Sequence, residues 1–134
     1  MYPKRYEGHA APPAILELVG QLLPGLIQGE HPALAALRSQ YACARVERVE
    51  LTGSGFFVDF SVPPTAPLAA PSFFAGGDAE ITLEGAPQPA GCVLHVKDGR
   101  LNSLEGYLYE GEWPEDARVL KVEHIFSIVP GKAV

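Results

Sequence analysis

The Asp98-Gly99 pair constrains the fold of this chain more than any other short feature. It separates residues 91–97 from residues 100–109, two segments in which apolar and polar side chains alternate. Asp and Gly both accept the positive φ angles of a two-residue type I′ turn, and alternation with a period of two is typical of strands. The sequence therefore predicts an antiparallel hairpin here, with Cys92 facing the core. Leu101 and Leu104 are out of phase, and we expect a bulge at Gly106 to restore the register.

Further strands follow from the same alternation. Residues 44–51 and 56–62 flank a Thr-Gly-Ser-Gly turn and predict a second hairpin, while residues 78–84 and 118–129 supply two more strand segments. Residues 63–77 hold four prolines, which excludes a central strand. We predict instead a long loop that folds back on the domain, because it is too apolar for a free linker.

Two segments that precede the strands predict short helices. Apolar residues recur at helical spacing in residues 14–23, behind Pro12 and Pro13, and Pro24-Gly25 is expected to end this helix. His31-Pro32 begins a second helix, which is rich in alanine. We therefore predict one domain over residues 1–134 with an α+β fold: an N-terminal helical pair packed on a mostly antiparallel β-sheet of five or six strands.

The charge of the chain limits its partners. The net charge is −6 and no basic cluster occurs, which argues against nucleic acid as a ligand. An acidic surface favours a basic protein partner, although the same charge also serves solubility. No apolar run reaches the length of a membrane span, and the N-terminus lacks the apolar segment of a signal peptide. We expect a cytoplasmic protein that does not contact membranes.

No motif in the sequence indicates catalysis. The four histidines are scattered, without the spacing of metal ligands, and no phosphate-binding glycine loop occurs. Cys43 and Cys92 lie outside any CxxC spacing, so buried free thiols are expected, with a disulfide between them left open. The sequence therefore predicts no catalytic residue, no metal site and no cofactor, and it favours a binding protein over an enzyme.

Aromatic and acidic residues cluster near the end of the predicted hairpin. The candidate binding surface that they form consists of Glu105, Tyr107, Tyr109, Glu112 and Trp113. Aromatic side chains supply much of the binding energy in protein interfaces, and neighbouring acids add specificity. The alternative is structural: Trp113 and the tyrosines pack over the open end of the sheet, with their polar atoms reaching water.

The segment DGRLNSLEGYLYEGEWP, residues 98–114, resembles a known signature. It is similar to the pattern DGxLxxLEGYxYxxxWP near the C-terminus of small, mostly uncharacterised bacterial proteins. The resemblance covers only residues 91–114 and assigns no role to any residue. Some proteins of this kind resemble toxin-neutralising immunity proteins in size and acidity. By analogy, the resemblance implies a non-enzymatic protein-binding module of a bacterial cell.

Two classes of function therefore compete. One is the protein-binding module, of the immunity kind, that uses the acidic and aromatic surface. The other is a small-molecule-binding or enzymatic domain with a pocket between the helices, the proline-rich loop and the sheet. A homodimer through an exposed edge strand also stays open.

Overall fold

The fold is α+β, as the sequence predicts. A computed structural model describes residues 2–114 and 118–131 of the chain. The helices are α1 (Pro13–Leu26) and α2 (Pro32–Cys43). The strands are β1 (Lys4–Glu7), β2 (Arg45–Leu51), β3 (Gly55–Ser61), β4 (Phe74–Gly76), β5 (Asp78–Leu83), β6 (Gly91–Lys97), β7 (Arg100–Tyr107) and β8 (Val119–Phe126).

Six of the strands form one antiparallel sheet, in the order β1-β2-β3-β7-β6-β4, and β5 pairs with β8 in a two-stranded sheet. The two predicted hairpins are confirmed as β2–β3 and β6–β7. At the tip of β6–β7, Asp98 and Gly99 have φ angles of 53° and 73°. Both angles are positive, as a type I′ turn requires.

The six-stranded sheet has two faces of different character. One face packs against α1 and α2 in a single apolar core, to which Leu18, Leu37 and Leu94 contribute side chains that are fully buried. Most side chains of the opposite face are half-buried or exposed, and Ser103 is a buried exception. We call it the uncovered face.

Gln40 fixes α2 to the β6–β7 hairpin. Its side chain is fully buried. Its amide nitrogen donates to the carbonyl of Gly99 at 2.7 Å and to that of Pro67 at 2.8 Å. Its amide oxygen accepts from the backbone N–H of Leu101 at 2.8 Å. One side chain thus satisfies three buried or partly buried backbone groups from the hairpin and the proline-rich loop.

Helix α1 continues beyond the point where the sequence predicts its end. Pro24 lies inside the helix, which ends at Leu26 rather than before Pro24. The prediction was wrong because Pro24 falls in the last turn. The carbonyl that Pro24 cannot bond belongs to Gly20, an exposed residue, so water can satisfy it.

The proline-rich loop folds back on the domain, as predicted. Ala69 donates its N–H to the Gly99 carbonyl at 2.8 Å, and Gly99 donates to the Ser72 carbonyl at 2.9 Å. Of the three large apolar side chains that the loop is expected to bury, Phe74 is buried at 4% exposure, whereas Leu68 is 54% exposed and Phe73 is 61% exposed. The loop also supplies β4, a three-residue strand at the edge of the sheet.

The two cysteines are free, and they differ in exposure. Cys92 is fully buried, whereas Cys43 is exposed, contrary to the expectation that both are buried. Burial raises the pKa of the Cys92 thiol to about 12, so it stays protonated near neutral pH. Neither helix within the described ranges has the length and hydropathy of a bilayer-spanning segment.

Candidate functional site

Trp113 belongs to the core. Its ring is only 4% exposed, and its edge packs against Phe56 with the ring centroids 5.1 Å apart. Its backbone N–H donates to the carbonyl of Gly53 at 2.7 Å, which ties the chain after β7 to the β2–β3 turn. Of the two readings that the sequence leaves open, the packing of this ring favours the structural one for Trp113.

Two glycines in and beside the signature make room for aromatic rings. A Cβ atom on Gly106 would collide with the ring of Phe56, and a Cβ on Gly91 would lie 2.7 Å from the hydroxyl of Tyr107. Gly106 is therefore required for close packing and does not mark a bulge. The bulge lies at Asn102, where β7 has one residue more than β6.

Tyr107 and Tyr109 form an edge-to-face pair, with ring centroids 5.4 Å apart and planes at 88°. Burial, followed by the side-chain hydrogen bond with Tyr109, raises the pKa of Tyr107 above its ordinary value. Tyr109 is 70% exposed, and Glu112 is also exposed. Together with the half-buried Tyr107, these two residues are the solvent-accessible members of the candidate binding surface at this end of the segment.

Glu105 lies on the uncovered face, between two apolar neighbours. On β7 it pairs with Phe57 of β3 on one side and with Val93 of β6 on the other. Its Oε1 atom is 3.5 Å from Nε2 of His95. Because directly paired residues of antiparallel strands point to the same face, Phe57, Glu105 and Val93 form one row across the sheet.

An open groove of about 580 Å³ follows this row. Strands β3, β4, β6 and β7 and the proline-rich loop line it, and within the described residues neither helix contributes to it. We call it the sheet groove and define it by six of its lining residues: Phe57, Phe73, Val93, His95, Lys97 and Glu105. The sequence allows a pocket between the helices, the proline-rich loop and the sheet. The sheet groove lies elsewhere, on the uncovered face.

The rest of the uncovered face is charged. Arg5 lies 3.5 Å from Glu50, and Arg48 lies 3.9 Å from Asp59, across β1, β2 and β3. Burial raises the pKa of Asp59, against the opposing effect of Arg48. The uncovered face therefore divides into a half with paired charges at β1–β2 and an apolar half at the sheet groove.

A second cluster of charges lies on the two-stranded sheet. Glu80, Glu123 and His124 bring their ligand atoms within 4.8 Å of one another. The distance from His124 Nε2 to Glu80 Oε2 is 3.3 Å, and Lys121 Nζ lies 3.0 Å from Glu123 Oε1. We interpret the group as an exposed ion-pair cluster, because a lysine already pairs with one of its carboxylates. The scattered sequence positions gave no sign of it, since it depends on the register of β5 and β8.

The groove offers a base but no assembled nucleophile. Ser103 lies directly opposite His95, and both line the groove. In the part of the chain that the structure describes, the hydrogen bond of the His95 side chain goes to Glu105 and not to Ser103. Nucleophilic catalysis needs the base within reach of the hydroxyl.

The chain matches no family model, no curated protein and no solved structure. The role of the sheet groove must therefore be argued from its own residues. Three of these are distant in sequence from the predicted cluster: Phe57, Phe73 and Val93. Only the strand register and the path of the proline-rich loop bring them to Glu105.

Proposed function

We propose that this protein is a non-enzymatic protein-binding module, and that its contact surface consists of the sheet groove and Tyr109. The observation that carries the proposal is the apolar half of the uncovered face. Phe73 is 61% exposed there, and Phe57 and Val93 are half-buried. Exposed apolar groups gathered in one groove, with polar groups among them, are typical of surfaces that a partner covers.

The residues of the signature segment differ in how much they contribute to the fold, and this difference supports the proposed surface. Asp98 and Gly99 form the turn, Gly106 receives the Phe56 ring, and Trp113 is in the core. Glu105 and Tyr109 have no comparable packing role, since Glu105 lies in the groove and Tyr109 is 70% exposed. Side chains that the fold does not require are the better candidates for contact with a partner.

The kind of partner follows from charge and from the resemblance of residues 98–114 to immunity-like proteins. With a net charge of −6, the protein attracts a basic partner and repels an acidic one. A cationic toxin made by the same bacterial cell fits this requirement. We therefore propose toxin neutralisation as the cellular role.

The test uses the protein that the neighbouring gene encodes as the candidate toxin. Phe73→Asp places a charge in the groove, and Leu120→Asp is the matched control, because Leu120 is 50% exposed on β8. Co-expression of the wild-type protein with the candidate toxin should restore growth of the cells. The Phe73→Asp variant should not restore growth, whereas the Leu120→Asp variant should. Calorimetry with the purified pair should show binding that is at least tenfold weaker for Phe73→Asp.

Circular dichroism must show that both variants are folded. Equal binding by Phe73→Asp and the wild-type protein would contradict the proposed surface. Loss of binding with Leu120→Asp alone would move the surface to the two-stranded sheet.

A small-molecule site is the second candidate, because His95 and Glu105 place polar groups inside an apolar groove. A metabolite screen by thermal shift distinguishes the two functions. A compound without a guanidinium group that stabilises the wild-type protein but not the Glu105→Gln variant would favour the small-molecule function over the protein-binding one.

A further inference from the structure

We infer that the sheet groove receives an arginine side chain of the protein partner, with Glu105 as the carboxylate that binds its guanidinium. The inference rests on the proposed function and names the chemistry by which the partner is recognised. Two features carry it, the surroundings of Glu105 and the rings that line the groove, and one charge, that of Lys97, opposes it.

Glu105 is a carboxylate with little compensation. Phe57 and Val93 flank it in the cross-strand row, so apolar groups occupy both sides where water would otherwise lie. Its side chain is 33% exposed. Within the described ranges its ion-pair neighbour is the ring of His95, at 3.5 Å, which carries a charge only when it is protonated. The carboxylate therefore favours a cation supplied from outside.

The rings of the groove suit a guanidinium better than an ammonium. Phe57 and Phe73 both line the groove, and aromatic rings pack well against a planar guanidinium and its aliphatic stem. A guanidinium also bonds a carboxylate through two parallel N–H groups, which an ammonium cannot do. The volume of about 580 Å³ is within the range of sites that enclose small ligands, so it accommodates a long side chain with part of its backbone.

Lys97 also lines the groove, and it opposes a second cation. It is an exposed residue on the last position of β6. Water screens an exposed charge more strongly than one flanked by apolar groups. Glu105 should therefore outweigh Lys97, and removing the lysine should strengthen the binding of a cationic side chain.

The experiment titrates the intact protein with N-acetyl-arginine amide and follows the backbone amide resonances by NMR. The neutral analogue N-acetyl-citrulline amide has nearly the same shape without the charge. We expect saturable shifts at Phe57, Val93, His95 and Glu105 with the arginine compound, and affinity at least tenfold lower with the citrulline compound. Lys97→Ala should tighten the arginine compound.

Glu105→Gln should lower the affinity at least tenfold. The matched control is Glu50→Gln, because Glu50 lies in the same cross-strand row, is 32% exposed and is paired with Arg5. Glutamine preserves the shape of both side chains, so an unchanged amide spectrum elsewhere shows that each variant is folded.

Equal binding of the two compounds, shifts that lie outside the groove, or unchanged affinity in Glu105→Gln would overturn the arginine assignment. Its failure is separable from failure of the proposed function. If Phe73→Asp still abolishes binding of the partner while the arginine compound gives no shift, only the arginine assignment falls. If Phe73→Asp leaves the partner bound, the surface itself is refuted.

Discussion

Replacing Trp113 with alanine tests whether the end of the signature segment is core or contact surface. The ring is 4% exposed and packs edge-on against Phe56 at 5.1 Å. Truncation of a buried Trp or Phe to alanine costs about 3–5 kcal/mol. A domain of this size has a free energy of unfolding of about 5–15 kcal/mol. We therefore expect Trp113→Ala to remove a large part of the stability.

The matched variant is Tyr109→Ala, four residues earlier in the same segment. Tyr109 is 70% exposed, and its ring packs on Tyr107 alone among the described aromatic rings. Its truncation removes this ring contact and the side-chain hydrogen bond with Tyr107, and should cost about 1–2 kcal/mol of stability, less than Trp113→Ala. The same change should weaken binding of the partner, because the exposed ring of Tyr109 is part of the contact surface that we propose.

Urea unfolding followed by far-UV circular dichroism measures both variants. Fluorescence is unsuitable for Trp113→Ala, because Trp113 is the only tryptophan in the chain. A loss below about 1 kcal/mol for Trp113→Ala would refute the core assignment, given the usual cost of such a truncation. A loss for Tyr109→Ala as large as that for Trp113→Ala would show that both rings serve the fold.

Three further results are expected. Gln40→Met keeps the volume but removes three hydrogen bonds to backbone groups, so urea unfolding should show a loss of about 2–4 kcal/mol; a smaller effect would mean that water replaces the amide. A thiol reagent should label the exposed Cys43 in the native protein and Cys92 only after unfolding; rapid labelling of two thiols would contradict the burial of Cys92. Burial raises the pKa of Asp59, so its ionised form lowers native stability at neutral pH, and this cost disappears below the ordinary pKa of 3.8. Asp59→Asn should therefore gain stability relative to the wild-type protein at pH 7 and lose that advantage at pH 3; a loss of stability at pH 7 would show that the ion pair with Arg48 outweighs burial.

The parts of the fold that the sequence predicted are those in which local signals agree. Asp98-Gly99 separates two alternating segments, and residues 14–23 have apolar side chains at helical spacing behind two prolines. Each signal depends only on residues close together in the chain, and the tertiary contacts of the fold favour the same local structure. The α+β class followed because short amphipathic helices must cover one face of a sheet.

The candidate site was less predictable, because tertiary contacts decide which rings are buried. Trp113 and Tyr109 lie in a segment without periodicity, so the pattern could not distinguish a buried ring from an exposed one. Trp113 is held by a hydrogen bond from its backbone N–H to the carbonyl of Gly53 in the β2–β3 turn, and this turn is distant from Trp113 in sequence. Phe73 likewise depends on the path of a loop whose prolines exclude a regular pattern.

The bulge at Asn102 explains why Glu105 reaches the groove at all. Continued without interruption from the Asp98-Gly99 turn, the register would pair Glu105 with Cys92 and point its carboxylate toward the core. The extra residue shifts the pairing by one, so that Leu104 faces Leu94 in the core and Glu105 faces Val93 on the uncovered face. Two leucines separated by an odd number of positions, Leu101 and Leu104, can both be buried only with such a bulge. The extra residue, Asn102, therefore has two effects. It lets both leucines face the core, and it brings the carboxylate of Glu105 into the sheet groove.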